Sequence, residues 1–193
     1  MTYDNSRLRR LALIALALQT AGRVEGRTKM QKMMYLANLL GWKAIDFKYH
    51  NYGPYSDTLA SELESMRNYG WIQERQVGTS KDRTLHEYSF FPKQRQIGLS
   101  LVGKIRETGP DSEKLVSRTQ GLFKQLNAFS SDELEIMSTL MFLKTENPSM
   151  SDGELVGEVR ELKPQFGKEQ ITEGLRVFKI MRDFLPTATK PTH

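Results

Sequence analysis

Residues 56–77 read SDTLASELESMRNYGWIQERQV, and this stretch decides the fold. Ser56 is a natural N-cap, and Asp57 sits in the first turn, where a negative charge suits the helix dipole. Leu59, Leu63 and Met66 recur at helical spacing, so a helix runs to about Tyr69 and Gly70 closes it. From Trp71 to Val77 the pattern changes to the alternation of a strand. Gly78 to Asp82 is polar turn material, and Thr84 to Phe91 is a second strand-like run with several β-formers.

Upstream, residues 47–56 are aromatic and cannot be helical through Gly53-Pro54. They read as a short extended piece entering a fixed turn, with Tyr52, Gly53, Pro54 and Ser56 as its structural residues. From Thr28 to Leu40, residues Met30, Met33, Met34, Ala37 and Leu40 mark one buried helical face. Lys29, Lys32 and Asn38 fall on the other side, and Gly41 is a natural stop. Ser6 to Thr20 is leucine- and alanine-rich and predicts a first helix. Three helices followed by a hairpin is the order of a winged helix-turn-helix, with the third as recognition helix and 78–82 as the wing tip.

After Pro92 the chain turns helical again. Lys93–Thr108 and Ser112–Phe129 are separated by Gly109-Pro110, and the second is expected to bury Leu115, Leu122, Phe123 and Leu126. Ser130 with Glu133, and Ser151 with Glu154, are capping boxes opening two more helices. A last helix from Lys168 to Phe184 buries Ile171, Leu175, Phe178 and Met181. The expected fold class is mainly α with a small β-hairpin. A winged helix-turn-helix domain covers 1–92, connecting helices 93–129, a C-terminal helical domain 130–185 and a loose tail 186–193.

The chain has 193 residues and no cysteine, which excludes disulfides, thiolate metal sites and a cysteine nucleophile and suits a reducing, cytoplasmic setting. Net charge is +5 and the pI about 9.4, which permits nucleic acid as a partner. The charge is split. Residues 6–50 carry nine basic side chains against two acidic, and residues 130–183 carry seven basic against eleven acidic. Arg7, Arg9 and Arg10 before the apolar run Leu11–Leu18 look like the start of a signal peptide. That run is only eight residues long, far short of a membrane span, so a buried first helix is the better reading.

Several of these stretches resemble a known family. Lys29-Met-Gln-Lys-Met-Met-Tyr-Leu36, then Phe47 and Tyr52-Gly-Pro-Tyr-Ser56, then the Leu59, Leu63, Met66, Gly70-Trp-Ile72 series resemble the YwgA-like proteins. More distantly they resemble the Panacea antitoxin-associated domain. Glu133-Leu-Glu135 and Glu161-Leu-Lys-Pro164 are also similar to YwgA-type sequences, so the likeness runs from about residue 27 to 180. The first resemblance implies a fold; the second implies an antitoxin that neutralises a partner protein.

Catalytic motifs are weak. Gly98 to Lys104 has the spacing of a phosphate-binding loop, but Ile105 stands where a Ser or Thr should hold magnesium, and Leu99, Leu101 and Val102 suit a packed helix. His50 and His86 lie in no metal-ligand spacing. Glu62 with Glu64, and Glu133 with Glu135, are two apart on helices and do not share a face. Tyr49, Tyr52 and Tyr55 could stack on bases, but aromatics at such a turn more often pack a corner. No enzyme, cofactor or metal is therefore expected.

Two binding readings remain. As a transcription regulator, the chain would hold duplex DNA through Arg27, Lys29 and Lys32 on the second helix, Lys48 and His50 before the third, and Arg75, Lys81 and Arg83 on the wing. Ser65, Arg67 and Asn68 would contribute from the third helix, and a homodimer would double the phosphate contacts. Against this, the third helix has a net charge of minus two. As an antitoxin or defence-system adaptor, its acidic face and the acidic C-terminal part would dock a basic toxin or effector protein.

Overall fold

The computed structural model describes residues 5–51, 53–80 and 83–182, with backbone alone for 79, 80, 83–85 and 182. Tyr52, Lys81, the Arg83 side chain and the expected tail 186–193 lie outside the described residues. The first helix, α1 (Asn5–Ala21), is buried without interruption from Ala12 to Leu18. A helix apolar all round belongs in a core, so the stretch after the arginines is a central support. Among the described residues, no helix is long and apolar enough to cross a membrane.

Helix α2 (Arg27–Ala37) starts after Gly26, whose φ of 93° suits glycine. It runs into a wider turn of π-helical type over Asn38–Trp42, ended by Gly41 at φ 116° and Lys43 at φ 46°. Asn38 ties off that end: its Oδ1 accepts from the Ala44 N–H at 2.9 Å and its Nδ2 donates to the Ile45 carbonyl at 2.8 Å. The aromatic segment then forms a small antiparallel ribbon, β2 (Lys48–His50) against β3 (Gly53–Tyr55), with Tyr49 opposite Pro54. Proline is tolerated there because a two-stranded ribbon is all edge.

Ser56 caps α3 (Asp57–Asn68) as expected, accepting from the Leu59 N–H at 3.2 Å. The hairpin follows as β4 (Ile72–Ser80) and β5 (Arg83–Phe90), with a bulge between Gln76 and Gly78. A third strand, β1 (Val24–Glu25), pairs with β5 and makes the sheet order β1-β5-β4. Two residues are too few for periodicity to reveal, so sequence reading missed β1.

A 3-10 turn at Pro92–Gln94 leads into α4 (Arg95–Arg106), and Pro110 starts α5 (Pro110–Leu126). Both pack on α1. Gly98 lies inside α4, where a Cβ would come within 2.6 Å of both Gln19 and Phe90. The Gly98–Lys104 spacing thus belongs to a packed helix, and its glycine serves close approach. Both capping boxes form, opening α6 (Ser131–Glu146) and α7 (Asp152–Leu162). Helix α8 (Lys168–Arg182) buries Ile171, Leu175, Phe178 and Met181, as its periodicity predicts.

Helix α6 is buried on all sides from Leu134 to Met141 and lies between α2 and α8. One apolar cluster runs from Ala12 in α1 to Met181 in α8. Each fully buried Leu or Phe of such a core contributes about 1.5–3 kcal/mol. The chain is thus mainly helical, with a small antiparallel sheet.

Candidate functional site

The side chains expected to hold a duplex are the natural place to begin. Helix α2 is buried from Lys29 to Ala37 without a break, so Lys29 and Lys32 do not face solvent. Lys29 Nζ donates to the Asn127 carbonyl at 2.8 Å, and Lys32 Nζ donates to the Pro54 carbonyl at 2.7 Å. The expectation of a basic outer face on this helix is corrected: α5, α6 and β3 pack around it, and each ammonium is held by a carbonyl across the core. Burial lowers the pKa of both lysines, that of Lys32 to about 8.

The same helix holds the aromatic turn. Gln31 grips Ser56 twice, donating from Nε2 to its carbonyl and accepting from its N–H, both at 3.0 Å. Lys32 lies close to a second buried lysine, Lys163, at the end of α7. Lys163 Nζ is 2.9 Å from Glu135 Oε1 on α6 and donates to the Asn51 carbonyl. The Glu135 carboxylate also accepts from Gln165 Nε2 at 3.3 Å. Neither side chain of the pair is more than 5% exposed. Two cations and one anion, completed by backbone carbonyls, therefore hold Asn51 and Pro54 against α2 and α6. Gly53 fits because its φ is 81° and a Cβ would come within 3.1 Å of Thr139 Oγ1.

A cleft of about 360 Å³ opens between α2, α3 and the hairpin, and Glu74 lines it. This carboxylate accepts from Arg27 Nε at 2.9 Å, Arg67 Nη1 at 3.3 Å and the Tyr88 hydroxyl at 3.1 Å, and His86 Nδ1 lies 3.0 Å away. Burial alone would push the Glu74 carboxyl up, but the hydrogen bonds from Arg27 and Tyr88 outweigh it and hold it below its ordinary value. Burial, reinforced by Glu74, raises the Tyr88 phenol to about 12. Arg27 and Arg67 thus meet around a carboxylate of the same chain.

Four more arginines of the N-terminal half are also bound by groups of the same chain. Arg7 and Arg10 meet the buried Glu62 of α3 at 3.3 and 3.2 Å. Arg9 donates to the Trp42 carbonyl and lies over its ring. Arg23 lies between Glu25 and Glu87. Of the remaining predicted contacts, Lys48, His50, Asn68 and Arg75 are exposed and Ser65 is half-buried. Arg75 Nε donates to Gln73, and the His50 ring rests edge-on against Tyr55. Tyr49 packs on Phe142, so two of the turn aromatics are corner packing.

Sequence reading missed Glu74, Gln31, Glu135 and Lys163. One signal was available: Glu135 stands inside the apolar run from Leu134 to Met141, and a carboxylate there needs a buried cation. Glu74 had no such signal, because Arg27 is 47 residues away along the chain. Among the described residues, no three His, Asp or Glu side chains gather as metal ligands would.

Fold and site together describe a mainly helical protein in which most N-terminal arginines, and Lys29 and Lys32, are bound by groups of the same chain. No family model matches the chain. The uncharacterised protein YwgA of Bacillus subtilis is 24% identical to it over 165 residues, covering 84% of this chain and 90% of that protein. This similarity supports the YwgA-like likeness seen in the sequence.

Proposed function

We propose that the chain is a non-catalytic binding module of winged-helix type that acts by gripping a basic protein partner, in the manner of an antitoxin or a defence-system adaptor. In this reading α1, α2 and α3 form the helical part and β4–β5 the wing. The observation that carries it is where the positive charge goes. Arg7, Arg10, Arg27 and Arg67 are paired with carboxylates of the same chain, and Lys29 and Lys32 with carbonyls. A phosphate-contacting face needs cations free to displace counterions. The distant likeness to the Panacea antitoxin-associated domain points the same way.

A duplex-binding reading keeps one observation in its favour: Lys48, His50, Asn68 and Arg75 are exposed. The two readings separate by fluorescence anisotropy with labelled duplex DNA at low and near-physiological salt. The protein-binding reading expects weak binding at low salt that vanishes at the higher one. Tight binding that weakens in Lys48→Glu and Arg75→Glu would overturn it.

A further inference from the structure

We infer that the groove between α6 and α8 is a docking site for a basic amphipathic helix of a partner protein. This rests on the protein-binding reading and deepens it by naming the surface and the shape of the occupant. The groove encloses about 530 Å³, within the range of about 300–1,000 Å³ common for binding sites. Its floor is apolar: Ile136 and Met137 from α6, Val177 from α8, and Phe129 just before α6. Gly174 sets how closely its two walls approach. A Cβ there would lie 2.5 Å from Ile136 Cγ2, so α8 packs directly on α6 at this point and the groove runs alongside that contact.

The rim is acidic, with Asp132 and Glu133 on one side and Glu169 and Glu173 on the other. Glu133 completes the capping box with Ser130, and Glu173 pairs with Arg176. Asp132 and Glu169 are exposed and make no ion pair among the described residues. Two helices packed side by side leave a furrow into which a third helix fits by its ridge of side chains. An apolar stripe flanked by lysines or arginines would meet the floor and both rims together. The chain as a whole carries +5, so attraction of a basic segment must come from this local rim.

The test is anisotropy with a labelled leucine–lysine amphipathic helix about 15 residues long, against its leucine–glutamate counterpart and against unstructured polylysine. The leucine–lysine helix is expected to bind, and its glutamate counterpart to bind at least about tenfold more weakly. Reversing the rim with Asp132→Lys and Glu169→Lys is expected to weaken the leucine–lysine helix about tenfold. Val177→Glu, at a half-buried position, is expected to weaken it as well, with far-UV circular dichroism confirming that both variants fold. Unchanged affinity in both variants would overturn the groove while leaving a basic partner in place. Binding of polylysine but not of the leucine–lysine helix would do the same. Failure of both cationic probes at low salt would overturn the inference and the basic-partner reading together.

Discussion

On the α2–α3 side of the molecule, Arg27 and Arg67 converge on Glu74, and Lys32 and Lys163 lie buried around Glu135 and the carbonyls of Asn51 and Pro54. On the α6–α8 side, Asp132 and Glu169 stand on the rim of an apolar groove and make no ion pair among the described residues. The first region is basic by composition and uses its charge to hold itself together. The second is acidic by composition and leaves part of its charge facing outward. Counting charges along a sequence therefore says which sign a region owns, and only the packing says whether that charge is available to a partner.

The comparison breaks first at Glu135. Replacing it with alanine leaves Lys163 buried without its carboxylate, and stability should fall by about 3–5 kcal/mol. Urea denaturation measures this directly, and a loss near zero would mean that the two lysines are not held by charge.

The next effect is in pH. Lys32 has a folded pKa of about 8 against an ordinary 10.5. Between those values the unfolded chain binds more protons than the folded one, so this group makes the protein more stable as pH rises, by about 3 kcal/mol over the whole window. Tyr35 and Tyr88 act oppositely, because burial raises both above the ordinary 10.0 and their contribution is lost above that value. Stability should therefore climb between pH 8 and 10.0 and then turn over. In Lys32→Met the climb should shrink to what Lys29 contributes, and its full persistence would assign it to another group.

The smallest effect sharpens the contrast. Glu169→Gln removes an exposed charge from the groove rim and should change stability by less than about 0.5 kcal/mol. A larger loss would mean that the rim, like Glu135, serves the fold.

Much of the fold was legible because helix starts carry local chemistry. Ser56, Ser130 and Ser151 each cap where the sequence says they should, and the three-four spacing of Ile171, Leu175, Phe178 and Met181 gives the buried face of α8. The same periodicity misassigned Lys29 and Lys32. It separates apolar from polar faces, and α2 is wrapped on all faces, with its polar groups satisfied by Asn127 and Pro54 from distant parts of the chain. Strand β1 was invisible because its two residues are defined by pairing with β5. Of the site, the Ser56 cap was legible, whereas Gly53 and Pro54, read as a turn, lie in strand β3. Glu74 and Lys163 were not legible, since each is recognisable only by what it touches.

The bond from Lys163 to the Asn51 carbonyl joins positions 112 residues apart, and this has a consequence for biosynthesis. A chain emerging from the ribosome in order makes α2 and the aromatic turn long before α7 exists. Until the far end arrives, the turn lacks its clamp, and the faces of α2 that α6 will cover stay wet. Contacts so far apart in sequence make for slow closure and an extended period of exposed apolar surface. The N-terminal half thus keeps its apolar surface exposed longest during synthesis.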